Sequence, residues 1–141
     1  MEQDKALNLL SLARKAGRIE VGEAPVAICT RAGKARLTVI AADASDHTLR
    51  RVRSLVSGTE QPYLRVVYDK DQLGRALGRS AVAVASMTDP ALALAFVQAL
   101  APDAQPPELL TQLAERAAKA KQREAEHRAH RANVRRGKKK S

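Results

Sequence analysis

The sequence predicts an α/β fold: a three-layer α/β/α sandwich around a four-stranded mixed sheet, followed by a basic C-terminal tail that is helical or disordered. Three observations carry this reading. Apolar residues recur at helical spacing in five segments, with β-branched or alternating runs between them, giving the order α-β-α-β-α-β-α-β-α in roughly the first 100 residues. Helices of that length, joined by short loops, are what a chain needs to cross over a sheet. The core must be aliphatic, because Tyr63, Tyr68 and Phe96 are the only aromatic residues among 141.

The elements follow in order. Leu7, Leu9, Leu10, Leu12, Ala13 and Ala16 set an amphipathic helix over 4–16 that stops at Gly17. Ile19-Glu20-Val21 alternates apolar and polar, a short strand ending at Gly22. The segment Glu23 to Ala32 reads as a helix closed by Gly33. Pro25 is tolerated in its first turn, where backbone amides lack intrahelical partners anyway. Leu37 to Ala41 is an apolar, β-branched run and hence a buried strand. Asp43 or Ser45 caps a helix with the buried stripe Leu49, Val52, Leu55 and Val56, which Ser57-Gly58-Thr59 breaks. Tyr63 to Tyr68 reads as the third strand. Asp69 with Gln72 forms a capping box for a helix through Leu73, Ala76 and Leu77 to Gly78. Ala81 to Ala85 is the fourth strand, and Asp89-Pro90 opens a last helix to about Leu100. The shortness of the first strand favours a mixed sheet over a wholly parallel one.

This body spans 1–100. Residues 101–107 are a Pro-rich linker, and 108–141 a basic extension. Leu109, Leu110 and Leu113 supply one and a half apolar turns. No large apolar residue then follows until Val134, so a solvated or fraying helix is expected, aided by Glu115–Lys119 and Glu124–Arg128 at i,i+4. Arg135 to Lys140 is expected to be irregular.

Charge is the loudest feature. The formal net charge is +10, and 116–141 holds eleven Lys and Arg against two Asp and Glu. Such a field attracts polyanions, RNA or DNA in a small cytoplasmic protein. A single cysteine, Cys29, excludes an internal disulfide framework and a cysteine zinc ribbon, and fits a reducing compartment. The acidic start does not resemble a signal peptide, and Ala91 to Val97 is far short of a membrane span. The expected location is therefore cytoplasmic, with no membrane partner.

Catalytic signals are weak. Asp43, Ser45, Asp46 and His47 hold the letters of a hydrolytic triad, but four residues of one turn cannot converge on a substrate as a triad must. His127 and His130 lie three apart without a nearby cysteine and among cations that would repel a metal. No Walker or G-x-G-x-x-G pattern is present. The reading is a non-enzyme with no catalytic residue, no metal and no cofactor. Binding is better supported. Arg14, Lys15 and Arg18 cluster where the first helix hands over to the first strand. Gly22 opens a helix whose free amides suit a phosphate. Arg79 sits in the Gly78-Arg79-Ser80 turn, and Arg31 and Lys34 mark the end of the second helix. Few aromatics make base stacking a poor route, leaving backbone, shape and arginine contacts.

These residues also resemble a family. Leu9-Leu10-Ser11-Leu12-Ala13-Arg14-Lys15-Ala16-Gly17-Arg18, then Gly22, then Arg31-Ala32-Gly33-Lys34-Ala35, are similar to the ribosomal L-seven-Ae/L-thirty-e/S-twelve-e superfamily, closest to its bacterial YlxQ-like, ribosome-associated members. Ile40-Ala41-Ala42-Asp43-Ala44-Ser45 and Leu73-Gly74-Arg75-Ala76-Leu77-Gly78 continue the likeness over about 5–100. The resemblance implies an α/β/α sandwich that binds RNA, often at kink-turns, where a duplex bends sharply at sheared G·A pairs. In that superfamily the kink-turn surface joins the start of the second helix to the loop before the last strand. Its motif runs Gly, any residue, Asn, Glu, any residue, Thr, Lys. In register stand Gly22, Glu23, Ala24, Pro25, Val26, Ala27 and Ile28, so only the glycine survives.

At about 1–3 kcal/mol per base contact, taking the figure for DNA, two or three losses would cost roughly two to six powers of ten in affinity. The expected function is thus a non-catalytic RNA-binding protein, ribosome-associated and monomeric. It would bind structured RNA, ribosomal RNA foremost, through backbone and charge with kink-turn specificity weakened or lost. The expected RNA contacts are Arg14, Lys15, Arg18, Gly22, Glu23, Arg31, Lys34, Arg79 and Ser80, with Arg135, Arg136, Lys138, Lys139 and Lys140 in the tail. The alternative is a protein-interaction module of the same fold. Ribosomal or other translation-associated proteins would then be its partners, and the tail would serve recruitment to the ribosome.

Overall fold

The computed structural model describes residues 4–139, with side chains through residue 134. Its elements are α1 (Lys5–Lys15), β1 (Ile19–Val21), α2 (Glu23–Arg31), β2 (Leu37–Ile40), α3 (Asp46–Val56), β3 (Tyr63–Arg65), α4 (Lys70–Ala76), β4 (Val84–Met87), α5 (Pro90–Gln98), a 3₁₀ turn (Pro102–Ala104) and α6 (Pro107–Lys139). Side chains close four of the helix starts. Asp4 accepts from the amides of Ala6 and Leu7, Ser45 from Thr48, and Asp89 from Leu92 with Pro90 beside it. Asp69 and Gln72 form the full reciprocal capping box. α2 differs. Its cap is Gly22 at φ +102°, with no side-chain hydrogen bond to the first turn.

The sheet order is β1-β4-β2-β3. β4 runs antiparallel to both β1 and β2, while β3 lies parallel to β2, so the sheet is mixed. The central strands β2 and β4 are buried at every position. Thr38 and Ser86 sit opposite each other in register, fully buried, and their hydroxyls pair at 2.8 Å. That bond removes most of the cost of two polar groups inside the sheet. α2 packs on β1, β4 and α3; α1 packs on β1, α4 and α5; α5 packs on β4 and α6. Phe96, Leu10, Leu37, Ile40, Leu73, Leu77 and Met87 are the largest fully buried side chains, each contributing roughly 1.5–3 kcal/mol by burial. Leu109 and Leu113 of α6 belong to the same core, so packing continues past residue 100.

Four expectations are corrected. The third strand ends at Arg65 rather than Tyr68. Beyond Val66, whose amide still bonds Ile40, the chain turns, leaving Val67 exposed and letting the Ala42 amide reach the Tyr68 carbonyl. The fourth strand runs over 84–87 rather than 81–85, because Arg79 and Val82 give their amides to the α4 carbonyls of Gly74 and Lys70. Ser86 hid the shift, since its hydroxyl is satisfied only by the distant Thr38. α6 is one continuous helix to Lys139, where the sequence predicts an irregular segment from Arg135. Finally, among the described residues neither Glu115–Lys119 nor Glu124–Arg128 closes an ion pair. Arg116 instead reaches Glu60. No helix among the described residues is long and apolar enough to cross a membrane.

Candidate nucleic-acid interface

The predicted contacts divide between the two ends of the sheet. At one end Gly22 donates its amide to the Val84 carbonyl at 3.0 Å, which seats the start of α2 beside the start of β4. The last turn of α1 meets the end of α4 there. Ser11 Oγ donates to the Ala76 carbonyl at 2.7 Å, and the Arg14 guanidinium lies directly over Gly78. Gly78 takes φ +70°, backbone that favours glycine, and a Cβ there would stand 2.7 Å from Arg14 Cζ and Nη1 and push the guanidinium aside. The turn that follows is clamped to α4. The Arg79 amide bonds Gly74 O at 2.7 Å, and a Cβ at Gly74 would meet Arg79 O at 2.7 Å and the Ala81 backbone at 2.9 Å. Arg79 and Ser80 are held exposed by this arrangement. Gly22 and the exposed Arg79–Ser80 turn that leads into β4 therefore lie toward the start of β4. Arg14, followed by exposed Lys15, reaches Gly78 from a helix end that also accepts the Arg18 amide, at Ala13 O and 2.8 Å.

The side chains at the start of α2 do not project base-reading groups. Glu23 turns to α3, accepting from Thr48 Oγ1 at 2.9 Å and lying 3.9 Å from Arg51 Nη1. Ala24 is exposed, Pro25 carries no N–H, and Ile28 is 68% exposed.

Arg18, Arg31 and Lys34 are not brought to that end. The Thr88 amide bonds the Arg18 carbonyl at 2.9 Å, putting Arg18 where β4 finishes. Arg31 and Lys34 lie beyond a nine-residue helix, about 13 Å of rise from Gly22. Arg36, absent from the sequence-level selection, joins this second end, with its amide on Met87 O and Nη1 on Gly33 O. Buried Gln61 ties it down, accepting from the Ala35 amide and donating to Thr30 O. α6 then crosses here, latched by Gln112 Nε2 and Arg116 Nη2, each donating to Glu60 O at 2.6 Å. No local motif signals these contacts; the partners lie more than 50 residues apart. An adjacent groove of about 390 Å³ is lined by Pro25, Ile28, Cys29, Ala32, Lys34, Glu20 and Thr88. Burial, and then the Glu20 charge, push the Cys29 thiol up against the opposing pull of Arg36 and Lys34.

Of the tail residues, Arg135, Arg136, Lys138 and Lys139 lie on the α6 backbone past the described side chains, and Lys140 lies outside the described residues.

Residues 4–97 match the family described as Ribosomal protein L7Ae/L30e/S12e/Gadd45. The chain belongs to this family. It is 32% identical over 92 residues to the RNA-binding protein YlxQ of Bacillus subtilis (strain 168), covering 65% of this chain and 91% of that protein. Among solved structures, a Bacillus halodurans protein of unknown function aligns with a TM-score of 0.64 at 26% identity, covering 69% of this chain and 97% of that one. A Giardia lamblia 15.5 kD RNA binding protein aligns with a TM-score of 0.57 at 28% identity, covering 67% and 81%. Within this L7Ae-family chain, α6 begins after the matched stretch ends.

Proposed function

We propose that this L7Ae-family chain is a non-catalytic RNA-binding protein of the translation apparatus. It grips structured RNA by phosphate and shape contacts, with the sequence-reading part of kink-turn recognition weakened. The observation that carries the reading is the Arg14 guanidinium set against Gly78 beside the exposed Arg79–Ser80 turn, which leads into β4 where Gly22 opens α2, with Ala24, Pro25 and Ile28 at the start of that helix. The first group offers a guanidinium pair, a hydroxyl and uncapped amides, which suit phosphate oxygens. The second group offers no donor or acceptor to a guanine edge. The names of the Bacillus subtilis and Giardia relatives support RNA as the ligand. Ribosomal RNA and the cytoplasm are the setting that family membership and a +10 charge favour.

The test is a gel-shift titration of the full chain over a range of salt. A kink-turn RNA, a straight duplex of equal length and a single strand would be compared. The expected result is binding to both structured RNAs within a few-fold of each other, falling steeply with salt. Arg14→Gln and Arg79→Gln should each weaken both by several-fold. A preference for the kink-turn of a hundredfold or more would overturn the loss of specificity. No shift with any RNA would overturn RNA binding itself.

A second reading rests on Ile28. Its 68% exposure beside Pro25 and the apolar groove suits a protein partner, such as a ribosomal or translation-associated protein. Ile28→Ser, which removes the apolar surface without adding charge, would then abolish that partnership while RNA affinity changes little.

A further inference from the structure

The charge of α6 is arranged, and the arrangement is visible only once the helix is docked. Leu109 and Leu113 face the core. Continuing the same alternation of four and three residues along the helix gives Arg116, Ala120, Arg123, His127, His130 and Val134. The face that is apolar at the root of α6 thus carries Arg116 and Arg123 where the helix leaves the body, and His127 and His130 beyond them. Where the two regimes meet there is a cleft of about 340 Å³, lined by Arg36, Thr88, Pro90, Arg116, Lys119, Ala120 and Arg123. Four cations line it and no carboxylate does. Asp89, next to the cleft in sequence, is engaged in capping α5. Arg116 is fixed by its Nη2 on Glu60, while its Nη1 has no hydrogen-bond partner among the described residues.

The Glu60 carboxylate lies 4.0 Å from Arg116, which leaves Arg36, Lys119 and Arg123 around the cleft with no ion pair among the described residues, an arrangement that an entering anion would relieve. The protein nonetheless fixes the group firmly: Gln61 anchors the strand start, and Gln112 and Arg116 anchor the helix. From Arg116 to Arg123 the cations extend over about 10 Å of helix rise, more than one small anion would require.

We infer that this cleft is a second RNA site, on the opposite end of the sheet from Gly22 and Arg79. In it Arg36, Lys119 and Arg123 hold the phosphate backbone of an RNA duplex. The inference rests on RNA being the ligand of the chain. It adds a separate surface, so that one molecule bridges two backbone segments.

The experiment uses the full chain and a straight RNA duplex of about 20 base pairs, titrated at several salt concentrations. Two double variants remove the same charge from the same helix. Lys119→Gln with Arg123→Gln strips the cleft. Lys121→Gln with Arg128→Gln strips positions turned well over 100° from Arg116 around the helix. The cleft pair should weaken binding roughly tenfold and lower the salt slope by about two counterions, with the control pair changing affinity less than threefold. Arg36→Gln, which lies on the sheet and not on α6, should weaken binding several-fold and should not add fully to the cleft pair. Thermal melting reports whether each variant remains folded, and Arg36→Lys keeps the charge should Arg36→Gln fail to fold. Equal losses from the two double variants would overturn the inference, since net charge alone would then explain binding. An unchanged affinity in Arg36→Gln would overturn it as well. If the wild-type chain shifts no RNA, the RNA reading itself fails. If it binds but the two pairs behave alike, only the second site is lost.

Discussion

The two ends of the sheet are built by different means. At the Gly22–Arg79 end, the shape comes from backbone: Gly74 lets the Arg79–Ala81 turn lie against α4, Gly78 lets the Arg14 guanidinium lie over the chain, and Gly22 takes the positive φ that opens α2. At the Arg36 end, shape comes from side chains of distant elements, with Gln61, Gln112 and Arg116 joining α2, β2, the α3–β3 loop and α6. The first end falls within the family-matched stretch, whereas half of the second depends on α6, which begins after it. The contrast teaches that one fold can shape one end through glycine geometry and the other by docking a helix that begins after the family-matched stretch.

Breaking one end and sparing the other tests whether they are independent. The largest effect is expected from Leu113→Ala. Leu113 is fully buried in the root of α6, and truncation should cost about 2–5 kcal/mol. The loss should lower the melting temperature by several degrees and loosen the Glu60 latch, while Arg79 stays in place. Hydrogen exchange would show faster amides over α6 and α5 and little change in α4. Uniform acceleration across both ends would show that they fold as a single unit. Gly74→Ala is the converse. The new methyl would collide with Arg79 O and the Ala81 backbone, costing about 1–3 kcal/mol and displacing the Arg79 turn. Gly74 is helical and carries no left-handed strain, so alanine there would otherwise favour the helix. A melting temperature unchanged or raised in Gly74→Ala would mean that the clamp on Arg79 contributes little.

Most of the fold was legible in the sequence, for local reasons. Caps at Ser45, Asp69 and Asp89 and stops at Gly17 and Gly33 are written in residues adjacent to the helices they bound. The strand boundaries that moved did so through distant partners. Ser86 belongs to β4 because Thr38 faces it, and Ala81 does not because α4 holds the turn before it. The site divides along the same line. Arg14, Gly22 and Arg79 stand next to glycines that mark turns, so they could be found from the sequence alone. Arg36 and Arg116 were missed because nothing near them in sequence marks them. Arg31 and Lys34 mark the end of the second helix in the sequence, but whether they share a face with Arg14 and Arg79 depends on the fold, which a one-dimensional reading does not give.

The smallest expected effect concerns a contact that belongs to neither cationic surface. Tyr68 donates to both carboxylate oxygens of Asp4 at 2.8 Å, joining the end of β3's chain to the cap of α1. Burial first, and then the hydrogen bond and charge of Asp4, push the phenol well above its ordinary value near 10. The unfolded chain would ionise Tyr68 near pH 10 while the folded chain keeps it protonated. The stabilisation is therefore complete below about pH 10 and is lost progressively as pH rises beyond it. Tyr68→Phe should cost about 0.5–1.5 kcal/mol at pH 8, a modest amount because Asp4 is exposed. In urea melts the gap between wild type and variant should narrow between pH 10 and 11. RNA affinity at pH 8 should be unchanged, because neither end of the sheet uses this pair. A gap that stays constant with pH would show that the phenol contributes by packing and not through its proton. A fall in RNA affinity would show instead that the start of α1 transmits to the Arg14 end, and the two surfaces would then have to be treated as coupled.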